Sequence, residues 1–227
     1  MCGRYSLSST PARINSQFSV PVDPGLVPGY NIPPGTNVLM IRCSGESGER
    51  LSGPAHWGFT PGWLKPGKSG VRPINARAES VASKPMFRRA FERRRCILPA
   101  DGFYEWKALP QGKQPWFIRP SDDRLFGFAA IYETGNELTG NRPSCAIVTT
   151  EANTLMQSIH NRMPVILDPG DYARWLDPSE THADAVVDLL RPFDPGRMMA
   201  YPVSTRVNTP KNNDEELISP LRSDQAQ

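Results

Sequence analysis

Long apolar runs are missing from this sequence, and so are clustered cysteines and histidines. No stretch of its 227 residues approaches the roughly 20 consecutive apolar residues of a membrane span. The first residues lack the apolar core of a signal peptide. A membrane partner and a secreted location are therefore not expected. The four cysteines, Cys2, Cys43, Cys96 and Cys145, stand far apart and form no Cys-x-x-Cys pair. That spacing argues against a zinc site or a disulfide framework and fits reduced thiols of a cytoplasmic protein. With three histidines and no metal or cofactor motif, neither a metal nor a cofactor is expected. Charge of one sign is also lacking overall, with 26 basic against 23 acidic residues.

Local charge is less even. Residues 72–107 carry nine basic and four acidic side chains, and residues 168–227 carry six basic and eleven acidic. A basic middle and an acidic end fit a polyanion bound on one face, though mixed surface charge alone has the same composition. Proline and glycine are plentiful, 24 and 18 residues, as expected of short strands joined by rigid turns. The hydrophobic content, 38%, suits one globular domain, read here as residues 1–220 with a polar tail at 221–227.

The pattern predicts a helix at about residues 10–18 capped by Ser9, and a buried strand at 38–41. Residues 42–54 read as an exposed hairpin loop, and 64–73 as a mobile loop. A short helix opens at Pro85 and carries five arginines from Arg88 to Arg95. Strands at 96–99 and 103–107 flank an Asp101-Gly102 turn, read as a hairpin. Further strands are expected at 116–118, 125–132, 145–149, 165–167 and 201–203, with helices at 153–159, 168–175 and 181–190. Strands in hairpin order point to an α+β fold: a single domain with a mostly antiparallel, barrel-like β-sheet flanked by short helices.

Position gives Cys2 a special chemistry. Once Met1 is removed, Cys2 carries a thiol and a free α-amine on adjacent carbons. Such a 1,2-aminothiol condenses with an aldehyde to an imine, and the thiol then closes a five-membered thiazolidine. Four other groups stand out. Glu105 lies between Tyr104 and Trp106, where desolvation would raise its pKa toward proton-transfer use. His160 sits in a polar His-Asn-Arg stretch, and Asn75 could orient a substrate oxygen. Arg4, Arg77 and Arg162 could hold phosphates. Taken singly, each also reads as an ordinary surface or turn residue.

Eight blocks in order carry a resemblance: Met1-Cys2-Gly3-Arg4; Asn31-Ile32-Pro33-Pro34; Trp57-Gly58-Phe59; Asn75-Ala76-Arg77-Ala78-Glu79; Arg95-Cys96-Ile97-Leu98-Pro99; Gly102-Phe103-Tyr104-Glu105-Trp106; Ile159-His160-Asn161-Arg162-Met163-Pro164; and Val203-Ser204 with Val207-Asn208. Together they resemble the SRAP domain, the SOS response-associated peptidase family. Pro33 departs from the alanine more usual there, and the loop after Trp63 is longer.

The resemblance implies a monomer that binds single-stranded DNA at abasic sites and forms a thiazolidine crosslink through Cys2, shielding the lesion. By the same resemblance His160 assists sugar ring opening as a general acid, Glu105 shuttles protons, and Asn75 positions the sugar or the Cys2 amine. Arg4, Arg77 and Arg162 would clamp phosphates, and Trp63 and Trp106 would shape the bound strand. It further implies a cytoplasmic protein, nucleoid-associated when bound to DNA, with peptidase activity limited to Met1 removal. Two other readings stay open: an N-terminal-nucleophile amidohydrolase, in which a terminal cysteine attacks an amide, and a non-covalent single-strand binder.

Overall fold

Period-two alternation of apolar residues, broken by glycine and proline, builds thirteen strands and five short α-helices among the residues described, 2–45, 47–64, 70, 72–122 and 124–221 of a computed structural model. In chain order these are β1 (Tyr5–Leu7), α1 (Pro11–Phe18), β2 (Gly29–Ile32), β3 (Asn37–Cys43), β4 (Arg50–Trp57), β5 (Asn75–Arg77), α2 (Ala78–Val81) and α3 (Arg88–Arg93). There follow β6 (Arg95–Ala100), β7 (Gly102–Leu109), β8 (Gly112–Pro120), β9 (Phe126–Glu133), β10 (Ser144–Glu151) and α4 (Thr154–Gln157). The chain ends with β11 (Arg162–Pro164), β12 (Ile166–Leu167), α5 (Tyr172–Leu176) and β13 (Met198–Pro202). No helix among the described residues is long and apolar enough to cross a membrane.

The strands form two sheets. The smaller has the order β13-β8-β7-β1-β2. The larger runs β11-β10-β4-β3-β6-β9-β12, with β5 beside β10, and an added β9–β10 pairing bends it into a barrel-like shape. Pairing is antiparallel except where β10 runs parallel to β4 and β5. This is the expected α+β architecture. Its core joins the two sheets through aromatic edges: Tyr5 of β1 meets Trp57 at 5.4 Å and Phe128 at 6.0 Å, and Phe103 of β7 meets Phe128 at 6.0 Å.

Alternation along β7 places its residues in two compartments. Phe103 enters the main core, whereas Tyr104 joins Phe117, Val203, Val207 and Leu217 in a smaller cluster on the other side. Glu105, two residues beyond Phe103, is thereby returned to the inner side.

Several expectations change. The Asp101-Gly102 turn is not a hairpin, because β6 lies in the larger sheet and β7 in the smaller. Asp101 instead accepts hydrogen bonds from the Ser8 and Ser9 backbones and hydroxyls, binding the crossover to the end of β1. Gly102 is required there: a Cβ would stand 2.5 Å from the Ile118 carbonyl and from the Phe117 ring. Ser9 is thus engaged elsewhere, and Thr10 caps α1, accepting from the Arg13 N–H at 3.3 Å with Pro11 opening the helix.

Residues 42–54 are mostly strand, the hairpin turn being confined to the segment between Cys43 and Arg50. Arg95 does not continue α3 but starts β6, buried, where it donates to the carbonyls of Phe91, Glu92, Trp175, Asp177 and Glu180. The segment 181–190 forms two 3-10 turns, at Ala183–Ala185 and Val187–Leu189, rather than one helix. Adjacent β-branched valines and so short a span leave little to pay for helix nucleation. Most of the 64–73 loop (65–69 and 71) and residues 222–227 of the tail lie outside the described residues.

Because the crossover leaves no room for a side chain, Gly102→Ala is expected to destabilise the protein by about 1–3 kcal/mol. The check is a urea unfolding curve, whose midpoint should fall while its slope stays unchanged.

Candidate active site

Cys2, three residues before β1, is wholly buried. Antiparallel pairing of β1 with β7 sets Tyr5 against Phe103, and the Tyr104 N–H donates to the Arg4 carbonyl at 2.9 Å. Carried back, this register brings the chain start alongside Glu105. From the larger sheet, β5 is held parallel to β10 with Asn75 opposite Ile147. The Asn75 Nδ2 donates to the Cys2 carbonyl at 3.0 Å. The Oδ1 of Asn75 is buried and, among the described residues, makes no hydrogen bond.

Glu105 is 3% exposed. Burial pushes its carboxyl above the usual carboxylate range, and nearby His160 draws it partway back. Burial also drives the Cys2 thiol far above its ordinary value, Glu105 adding to the rise while the Arg4 backbone N–H opposes it. His160 follows α4, its N–H bonded to the Met156 carbonyl at 2.8 Å. Its Nδ1 accepts from the Arg162 backbone N–H at 3.0 Å and lies 3.3 Å from the Arg162 carbonyl. With Nδ1 accepting, the neutral ring is assigned its proton on Nε2. Residues from position 2 to 160 thus come together: Asn75 and Glu105 at Cys2, and His160 near Glu105, combining a thiol, a desolvated carboxyl, an imidazole and an amide.

The predicted DNA contacts are placed differently from one another. Arg77, at the end of β5, is exposed, and among the described residues no hydrogen bond or ion pair holds its guanidinium. Arg4 is turned inward: its Nη1 donates to Asn31 Oδ1 at 2.6 Å and to the Val207 carbonyl at 3.0 Å, over the Trp106 ring at 5.9 Å. Arg162 is mostly buried and grips both oxygens of Glu79 and the Thr149 carbonyl. Trp106 is half-buried, its Nε1 donating to Asn208 Oδ1 at 2.7 Å. Trp63 is 65% exposed, a large apolar surface on the turn after Pro61.

Sequence reasoning assigned no part to Glu79, Asn31 or Thr149. Glu79 and Asn31 lie inside quoted sequence blocks, but nothing in a linear pattern pairs them with Arg162 and Arg4. A cavity of about 710 Å³ opens at the other end of β1, around Ser8, Arg119 and Tyr201, and holds none of the four clustered groups.

Comparison with known proteins gives one answer. The family model described as SOS response associated peptidase (SRAP) matches residues 1–210. The chain is 45% identical over 223 residues to the abasic site processing protein YoqW of Bacillus subtilis, covering 96% of this chain and 99% of that protein. It is 34% identical to the abasic site processing protein YedK of Escherichia coli, across 97% of this chain and the whole of the other. A crystal structure of a protein from Bacteroides thetaiotaomicron superposes with a TM-score of 0.84 at 26% identity, covering 97% of this chain and 100% of that one. The chain belongs to the SOS response associated peptidase family, SRAP.

Proposed function

We propose that this protein processes abasic sites in DNA by forming a covalent thiazolidine with the lesion through Cys2, once Met1 has been removed. The observation that carries the reading is the convergence of Asn75 and Glu105 on a buried residue 2, with His160 near Glu105. The names of the relatives, abasic site processing proteins, supply the substrate class. An abasic deoxyribose in its ring-opened form presents an aldehyde, the partner that a 1,2-aminothiol needs.

The state of the groups orders the steps. A thiol held protonated by burial is a poor first nucleophile, so the neutral α-amine of Cys2 attacks the aldehyde carbon. The carbinolamine loses water to give an imine. Sulfur then adds to the imine carbon as its proton is transferred, through Glu105, to the former imine nitrogen, closing the ring. Aldehyde and aminothiol become thiazolidine and one water. A carboxyl raised toward neutrality suits a group that must both take and return protons. His160, with its proton assigned to Nε2, passes that proton to the sugar ring oxygen as the ring opens and takes one back from the anomeric hydroxyl, so the imidazole ends neutral. Direct thiolate attack on an amide, as an amidohydrolase requires, fits this buried thiol less well. Single-stranded DNA is the proposed form, its phosphates met by Arg77, with Trp63 offering a stacking surface.

Cys2→Ala should form no heat-stable adduct with an abasic single-stranded oligonucleotide on a denaturing gel, while filter binding of the same DNA stays within about threefold. An adduct that persists in this variant sinks the aminothiol chemistry.

Non-covalent binding should weaken as salt rises, and Arg77→Ala should lower the slope of log K against log salt by about one unit if it neutralises one phosphate. A slope equal to that of the wild type takes Arg77 off the DNA path.

Burial of Glu105 also has a cost to the fold that depends on pH. Its folded-state pKa is raised, so the folded chain binds the proton more tightly than the unfolded chain. Stability therefore declines as pH rises from the ordinary carboxylate range through the raised value. Glu105→Gln should melt higher than the wild type at neutral pH, by roughly 2–4 °C per kcal/mol relieved. The gap should close as pH falls toward 4, the ordinary range of a glutamate. Melting curves from pH 4 to 8 read this directly, and a gap that widens on acidification contradicts it.

A further inference from the structure

Arg162 is fixed at both of its ends. Its backbone N–H donates to His160 Nδ1 at 3.0 Å. Its Nη2 donates to Glu79 Oε2 at 3.0 Å and to the Thr149 carbonyl at 2.6 Å, and its Nη1 donates to Glu79 Oε1. The Arg162 side chain is 16% exposed and that of Glu79 is 55% exposed. The carboxylate thus caps the outward edge of a guanidinium that is otherwise enclosed. Glu79 stands in the first turn of α2, directly after β5, which carries Asn75. Arg162 begins β11, paired through Glu151 to β10. One ion pair therefore joins the segment that holds Cys2, through Asn75, to the segment that holds His160.

We propose that Glu79 is a positioning residue for His160: its fork on Arg162 locks that guanidinium onto Thr149, and so fixes the backbone N–H that aims the imidazole. The ion pair keeps the Glu79 carboxyl below its ordinary range, so it is ionised at neutral pH. Arg–carboxylate forks add geometric definition beyond their energy. A pair so open to solvent on one side contributes little to global stability, so the expected effect is on rate. The proposal rests on the reading of His160 as the acid of the crosslinking reaction.

The test uses the full chain with Glu79→Gln, and Glu79→Ala as a second variant, each also built on His160→Ala. Two quantities are read: the single-turnover crosslinking rate at saturating protein on an abasic single-stranded oligonucleotide, and Kd for the same oligonucleotide lacking the lesion. Misplacement of a catalytic group by a fraction of an ångström to 1 Å predicts a rate loss of roughly 10- to 100-fold, with Kd within about twofold. On the His160→Ala background the Glu79 change should cost nothing further, because residues acting through one another are not additive. An equal loss on both backgrounds overturns the proposal, as does an unchanged rate. Tighter DNA binding with an unchanged rate shows instead that Glu79 competes with a phosphate for Arg162. Absence of any adduct from the wild type is a different result, and it refutes the proposed function rather than the role of Glu79.

Discussion

Chain ends usually fray, since ordering a backbone residue costs roughly 1–2 kcal/mol and a terminus has neighbours on one side only. Here residue 2 is wholly buried. The hold on it comes from three directions. Strand β1 is paired on one edge with β2 and on the other with β7. Tyr5 wedges its ring against Trp57 and Phe128 of the other sheet. Asn75 reaches from that same sheet to the Cys2 carbonyl. Residues 2–7 are thus a seam between the two sheets, and the candidate site lies where that seam closes. The chemistry proposed at Cys2 needs a residue with one defined position, and the fold supplies it by making residue 2 part of the core.

Two buried ionisable groups show how differently the fold treats structure and reaction. Arg95 is surrounded by five carbonyl acceptors and stacks over Trp175 at 5.8 Å. Its charge is saturated by fixed dipoles, and it ties α3, β6 and the segment after α5 together. Glu105 is buried more deeply still, yet its surroundings do not favour the charged form enough to offset desolvation. A scaffold alone would do better with a neutral side chain at that position. The same elevation makes a carboxyl useful for moving protons, and burial likewise lifts the neighbouring Cys2 thiol. The stability given up at Glu105 and the protonated state of the thiol have one physical source, the dry environment around the chain start.

Most strands were legible, because β-branched and aromatic alternation between glycine and proline breaks is a local signal, as in β8, β9 and β10. The four proposed site residues stand out in the sequence by position, residue type and the order of the surrounding blocks, and the fold brings Asn75 and Glu105 to Cys2 and His160 to Glu105. What failed was non-local. The Asp101-Gly102 pair has hairpin chemistry, and only the packing of Ile118 and Phe117 against Gly102 shows that the chain changes sheets there. Ser9 is as good a cap as Thr10 until Asp101, 92 residues away, claims its hydroxyl. Residues 181–190 have helical periodicity, but the carbonyls of Asp177 and Glu180 are held by Arg95 just upstream, and two tight turns result. The Glu79–Arg162 pair spans 83 residues, which no spacing rule reaches.

Charge counted along the chain is not charge offered to a partner. In the basic stretch 72–107, Arg95 is consumed by carbonyls, and Arg94 is paired with Glu133 at 3.0 Å. Arg4 and Arg162, outside that stretch, are likewise spent on internal acceptors. Exposed cations remain at Arg72, Arg77, Lys84, Arg88, Arg89 and Arg93. On the acidic side, Glu105 is buried with its ionisation disfavoured, and Glu79 is bound to Arg162. The inward arginines therefore act first as internal braces, and in the proposed binding of DNA counterion release would come mainly from the outward set. Shape and long-range attraction are carried by different members of one residue type, which is why a count of arginines near the site overstates the number of phosphates it can hold.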